Sequence, residues 1–371
     1  MKNIPFKKKL LFAFAPLLCL FLLVEMSVRA AGSIDCLPVE PQAGDWKTMI
    51  GDPDLLWKLE PNTIFKTNND TTRINAVGLR DSLLPTQKKR SGEIRVLLTG
   101  DSSIYGWGVR DHETYAVFLE KELKKRFQKS VEVINMGVPG YSTEQSIRLL
   151  DKVGWSYNPD LVIISNIFSD CNIDAFQDRQ AFLLTRPNPS TTEKLLQQSR
   201  LYCAAKMHWV YYQATLNQNP NRVLMPGIPT GANAAVRLEE LNETLALSRV
   251  PIPQYLENLD IIQKKAQKRG AQILLAPLAQ EWDVGIWNVP MPKPTKDHVL
   301  PWFPYRDAQK KWAKEHNIPI ISFPDVFASY KGEPNQLFID NMHPSRTGTL
   351  IMAQAIADFL EKNPSYLTTH Q

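Results

Sequence analysis

The sequence lacks the usual signatures of a metal- or nucleotide-binding protein. Four of its 371 residues are cysteine (Cys19, Cys36, Cys171 and Cys203), and none stands in a Cys/His spacing typical of a zinc site. There is no phosphate-binding glycine loop and no GxGxxG after a strand. No cofactor is expected. Neither sign of charge dominates. The formal net charge is +5, part of it in a lysine cluster at the N-terminus, which argues against a nucleic-acid surface. No internal repeat or low-complexity segment stands out. What is present is ordinary for a globular protein: 43% hydrophobic and 22% charged residues, with length for one large domain or two small ones.

One uncharged run, Leu10–Val24, follows Lys2, Lys7, Lys8 and Lys9. A basic segment ahead of an apolar one is what the export machinery reads. The run is short for a relaxed transmembrane helix, which needs about 20 residues, unless it extends to about Val28 by tolerating Glu25 near the interface. Cleavage after Ala30 is the alternative, because Val28 and Ala30 are both small. A lipoprotein reading through Cys19 is disfavoured by the large Leu18 before it. In either case the lysines stay in the cytoplasm and the body of the chain lies outside. The expected location is therefore membrane-anchored and extracytoplasmic, or secreted after cleavage. There a Cys171–Cys203 disulfide is open to the chain; buried free thiols are the alternative.

Three segments follow from composition and periodicity. Residues 1–31 form a signal anchor or signal peptide, and 32–92 a polar, proline-containing stalk and extension. Residues 93–365 form an α/β domain with an irregular insertion at about 175–250. Within the extension, Thr72–Asp81 reads as a short strand and a turn at Gly78. In the domain, short apolar runs at Arg95–Thr99, Val131–Met136, Leu161–Ile167, Ala271–Pro277 and Pro319–Phe323 read as strands. Helical periodicity fills the gaps at Thr114–Phe127, Ser142–Val153, Pro253–Arg269, Tyr305–His316 and Ser345–Lys362. About five parallel strands with helices on both faces are expected. In such sheets ligands bind beyond the carboxyl ends of the strands.

The chemistry sits at those ends. The first strand runs into Gly100-Asp101-Ser102-Ser103, which projects a serine hydroxyl at the sheet edge, although the GxSxG elbow is absent. Just before the last helix stands Asp340-Asn341-Met342-His343-Pro344. A histidine that takes a serine proton needs a group to fix its tautomer, and a carboxylate three residues earlier does this in a tight turn.

Together the two pieces resemble the SGNH/GDSL hydrolase family, with an early serine and a late Asp-x-x-His; the resemblance covers roughly Arg95 to Lys362. It implies a flavodoxin-like SGNH fold and a triad of Ser102, His343 and Asp340. The family's second block matches Asn135-Met136-Gly137-Val138-Pro139-Gly140, which implies Gly140 as a backbone oxyanion donor beside the N–H of Ser102. The third block departs. Where the family has Gly-x-Asn-Asp, this chain reads Ser165-Asn166-Ile167-Phe168-Ser169-Asp170-Cys171-Asn172. Asp170 falls at or beside the donating Asn, so either Asp170 is protonated there, or Asn172 or Asn166 reaches in, or two backbone donors suffice.

Arg80 is a candidate substrate contact, with a structural ion pair as the alternative, and the same two roles are open to Arg249. Trp107 stands close enough to Ser102 in sequence to line a pocket, or else packs a loop. Trp209, Tyr211 and Tyr212 offer either sugar stacking or a packing stripe. The resemblance implies an esterase or O-deacylase, acting on an ester such as the O-acetyl groups of a glycan. An acyltransferase modifying an extracytoplasmic polysaccharide and a non-catalytic glycan-binding relative are the alternatives. With a single apolar segment the chain has no channel of its own to deliver an acyl donor, which favours hydrolysis.

Overall fold

The computed structural model describes residues 6–30, 49–52, 54–67, 70–80, 88–172, 177–185, 190–216, 235–286 and 294–367. Residues 32–48, 53, 68–69 and 81–87 of the expected stalk and extension lie outside them. The chain divides into two compact units: Met1–Gln42, Gly51–Trp57 and Gln180–Leu224 form one, and Ala43–Ile50, Lys58–Arg179 and Met225–Gln371 the other.

The second unit is built on a four-stranded sheet of β1 (Ile94–Thr99), β2 (Val131–Asn135), β3 (Leu161–Ile164) and β4 (Gln272–Leu275). The order is β2-β1-β3-β4 and every pairing is parallel. All six residues of β1 and all four of β3 are buried, as a sheet covered on both faces requires. The one charge in β1 is neutralised in place. Arg95 Nε donates to Glu132 at 2.9 Å and Nη1 to the Tyr157 carbonyl at 2.7 Å.

The flanking helices are α1 (Tyr115–Phe127), α2 (Thr143–Lys152), α3 (Ile252–Gln267), α4 (Trp302–Glu315) and α5 (Arg346–Lys362). Helix α1 packs on α5, and α3 packs on both α2 and α4. Their starts follow capping chemistry. Ser142 caps α2 in a capping box with Gln145, and the Ser345 hydroxyl accepts from the Thr347 and Gly348 N–H groups at the start of α5.

The expected fifth strand shrinks to one parallel bridge, Leu275 to Ile320. Pro319 has no N–H to add to the ladder, and Ser322 already caps the next short helix, Phe323–Ala328. The insertion is less irregular than its sequence reads. Its described parts include helices at Asp178–Thr185, Thr191–Leu196, Arg200–Leu216 and Leu241–Ala246. Three of these are eight residues or shorter, too short to display a periodic apolar stripe. On the long one, Trp209 and Tyr212 are 59% and 54% exposed, so these two form no packing stripe; the Tyr211 side chain lies outside the described residues.

In the first unit the helix Phe6–Ala30 packs on Arg200–Leu216. Glu25, read from sequence as a charge tolerated at an interface, instead caps that second helix. Its carboxylate accepts from the Arg200 and Leu201 N–H groups and the Ser199 hydroxyl, each at 2.9 Å. Among the described residues no helix is long and apolar enough to cross a membrane. The Cys171–Cys203 bridge does not form: Cys203 is disulfide-bonded, whereas Cys171 is a free, buried thiol on the short helix after β3.

Candidate active site

Strand β1 ends at Thr99, and after Gly100 and Asp101 the chain turns at once into a four-residue helix, Ser102–Tyr105. Asp101 is its N-cap: Oδ1 accepts the Ser103 N–H at 3.1 Å. Burial raises the Asp101 carboxyl above its usual range, against the Ser103 N–H, the charge of His343 and Ser169, which pull it down. Ser102 therefore stands on the first turn of a helix at the carboxyl edge of the sheet, with its hydroxyl displayed there.

The opposite wall is a tight turn closed by an antiparallel bridge between Phe338 and Pro344. Inside it, Asp340 Oδ1 accepts the N–H groups of Met342 (2.9 Å) and His343 (2.8 Å), which leaves Oδ2 for the His343 ring. The Nδ1–Oδ2 distance is 2.6 Å, and His343 Nε2 lies 2.7 Å from Ser102 Oγ. The side chain of His343 is 12% exposed and that of Asp340 42%. Burial pushes the Asp340 carboxyl up. The hydrogen bond and charge of His343, with the two backbone N–H groups, outweigh it, so the group lies below the usual carboxylate range. An ionised Asp340 keeps the ring proton on Nδ1 and leaves Nε2 as an acceptor for the Ser102 proton.

The third wall is the turn after β2. Asn135 Oδ1 accepts the Gly137 N–H at 2.9 Å, and the Val138 N–H donates to the Gly100 carbonyl at 3.2 Å. A Cβ on Gly137 would stand 2.3 Å from the Tyr105 nitrogen, so glycine alone lets this turn seat against the serine helix. Gly140 has φ +76°, a conformation side chains disfavour.

The segment after β3 departs from expectation. Asp170, read from sequence as the third oxyanion donor, is fully buried. Its Oδ1 accepts instead from Thr143, the backbone N–H at 2.9 Å and the hydroxyl at 2.5 Å, at the start of α2. Burial pushes its carboxyl up to about 8, against the two Thr143 hydrogen bonds. Asn166 is also spent internally, donating to the Tyr141 carbonyl at 3.1 Å and accepting from Ser146 at 3.1 Å. The Asn172 carbonyl accepts the Arg249 N–H at 2.7 Å. The residue that reaches the nucleophile turn is Ser169, whose hydroxyl donates to Asp101 Oδ2 at 3.4 Å. Sequence reasoning passed over it, although it directly precedes Asp170 in the same block.

The model of the GDSL-like lipase/acylhydrolase family matches residues 98–350 of this chain, the span that carries the serine, the histidine and the aspartate. That is more than half of the chain. The chain belongs to this family, and it is a hydrolase. Solved structures with similar architecture include a lipase/acylhydrolase from Enterococcus faecalis (15% identity, 75% of this chain and 99% of that one, TM-score 0.42). An esterase from Pseudoalteromonas sp. shows 14% identity over 73% of this chain and 98% of its own, at a TM-score of 0.41. The acetyl xylan esterase AlAXEase shows 14% identity over 72% of this chain and 100% of its own, at 0.43. No curated protein matches the sequence.

Arg80, Arg249 and Trp107 of this GDSL-family chain were the further substrate-contact candidates. Arg80 is not one. It is buried, with Nη1 donating to the Tyr105 carbonyl at 3.2 Å and also to that of Gly106, and Nη2 to the Val109 carbonyl at 2.6 Å. Nε pairs with Asp111 at 3.2 Å. It clamps, from inside, the loop that follows the serine helix. Trp107 belongs to that loop and does reach the site: its ring centroid lies 5.9 Å from that of His343, tilted by 33°.

Proposed function

We propose that the chain is an esterase or O-deacylase in which Ser102 attacks the acyl carbon. The observation that carries this reading is the unbroken contact from Asp340 through His343 to Ser102, at 2.6 and 2.7 Å. His343 Nε2 takes the Ser102 proton as Oγ bonds to the carbonyl carbon, and then delivers it to the departing alkoxide. Water repeats the sequence to release the acid. The oxyanion is met by the N–H groups of Ser102 and Gly140; Asp170 takes no part. Trp107, beside His343, supports a glycan as the carrier of the acyl group, because an indole face suits the apolar side of a sugar ring.

The reading includes an extracytoplasmic position on an N-terminal anchor. The lysine cluster ahead of Leu10–Val24 supports it. So does the disulfide at Cys203, since such bonds persist in oxidising compartments.

A fluorophosphonate probe tests the enzymology without knowledge of the natural substrate. The wild-type chain is expected to be labelled on Ser102 and to hydrolyse a short-chain aryl ester; Ser102→Ala is expected to lose both with its fold intact. Unchanged turnover in Ser102→Ala would refute the assignment.

A further inference from the structure

Arg249 stands outside every element that carries the triad, yet it is buried and its guanidinium is engaged on all three nitrogens. Nε and Nη2 donate to the two carboxylate oxygens of Asp178, each at 2.9 Å. Nη2 also donates to Gln145 Oε1 at 2.7 Å, and Nη1 donates to the Gly140 carbonyl at 2.6 Å. The partners are themselves fixed. Asp178 Oδ2 accepts from the Ser142 hydroxyl at 2.5 Å, and Gln145 Oε1 from the Ser142 N–H at 3.2 Å. The backbone around Arg249 is held on both sides: its carbonyl accepts the Asp178 N–H at 2.9 Å, and the Val250 carbonyl accepts the Tyr305 hydroxyl at 2.7 Å.

Asp178 and Arg249 lie near the two ends of the insertion. Their ion pair closes its base, and the spare arm of the guanidinium reaches the turn between β2 and α2. That turn contains a glycine at φ +76°, the residue type with the most freedom to lose. A buried ion pair is weak evidence for stability, because desolvation offsets most of its attraction. Its distinctive product here is a fixed direction for one carbonyl.

We propose that Arg249 is the positioning residue of the oxyanion turn. By holding the Gly140 carbonyl, with Asp178 and Gln145 holding Arg249, it fixes the peptide plane that follows Gly140 and, through it, the path of the turn that carries the Gly140 N–H toward the acyl oxygen. The inference rests on the esterase reading above. Misplacing a catalytic group by about 1 Å costs on the order of 10²-fold in rate, and that is the scale expected here.

The test uses Arg249→Ala and Arg249→Lys in the full chain. The measurements are kcat and KM on a short-chain aryl ester, affinity for a trifluoromethyl ketone whose Ser102 adduct bears the oxyanion, and the melting temperature. Both variants are expected to lose kcat by about 10²-fold with KM within about threefold. Ketone affinity should fall in proportion, and ethylguanidinium should restore part of the kcat of Arg249→Ala. If Arg249→Ala does not fold, Arg249→Lys decides alone, since it keeps a charge opposite Asp178 but loses the fork. A folded variant with kcat within about threefold of wild type overturns the proposal, as does a kcat loss without loss of ketone affinity. Wild-type labelling is read first. An unlabelled wild type defeats the esterase reading and this inference with it, whereas a labelled wild type with an unimpaired variant defeats only the role of Arg249.

Discussion

Replacing Asp170 by Asn separates two accounts of the segment after β3. In the native fold the carboxyl is fully buried, with Oδ1 bound by the Thr143 N–H and hydroxyl. Among the described residues Oδ2 has no hydrogen-bond partner. A negative charge on that oxygen would be unsolvated, so burial raises the group from 3.8 to about 8; Asp178 adds to the rise, and Arg249 and Thr143 oppose it. In the unfolded chain the group titrates near its ordinary value. Between about pH 4 and pH 8 the native state therefore holds a proton that the unfolded state has released. The stabilisation from Asp170 is complete below pH 4 and is lost as pH rises through 8, with a slope of at most about 1.4 kcal/mol per pH unit. Asp170→Asn removes that dependence, since an amide remains neutral throughout. Urea unfolding of both proteins from pH 5 to pH 9 reads it directly: the variant is expected to gain on the wild type with every unit up to about pH 8 and to level off above it. Turnover should stay within about twofold, because the carboxyl is turned onto Thr143 at the start of α2. Parallel stability profiles across that range would refute the burial argument. A turnover gain of tenfold or more, on the scale of a restored oxyanion donor, would place the carboxyl in the hole after all.

Arg80→Ala strips donors from the carbonyls of Tyr105, Gly106 and Val109 and leaves Asp111 without its buried partner. A stability loss of about 3–5 kcal/mol is expected by urea titration. A loss under about 1 kcal/mol with KM raised tenfold would make Arg80 a substrate contact instead. For the N-terminus, the full-length chain should pellet with membranes and a C-terminal reporter should be active only outside the cytoplasm. Alkaline wash should release a cleaved form and leave an anchored one behind. Recovery of the intact chain as a soluble cytoplasmic species defeats the anchor.

Residues whose placement is set by local chain geometry were legible in advance. Ser102 follows a buried strand and Gly100, while Asp340 and His343 are three residues apart in one turn, so neighbours in sequence already define them. The helix caps Ser142 and Ser345 are legible for the same reason. Asp170 was misplaced because a strand end defines register only to within a residue. Its fate is settled by Thr143, 27 residues earlier, whose helix start turns the carboxyl inward. For Arg80 the sequence offered an ion pair or a substrate contact; it could not name the partners, because Asp111 and the carbonyls of the serine loop lie 25 to 31 residues later. The strand at Pro319–Phe323 has the right composition, but whether it pairs over one residue or five depends on an edge partner and on where the next helix begins.

The same distinction explains how this site is assembled. Its reacting groups are presented by short local turns, each readable by itself. What aligns one turn with another is a set of buried polar contacts between distant segments. Arg80 ties the extension to the loop bearing Trp107, Ser169 ties the short helix Phe168–Cys171 after β3 to Asp101, and Arg249 ties the insertion to Gly140. Each joins an element outside the sheet to a turn at its carboxyl edge. Substitutions at these three positions should therefore disturb alignment while leaving the reacting groups present. That distinguishes them from Ser102→Ala, which removes the nucleophile and leaves the alignment intact.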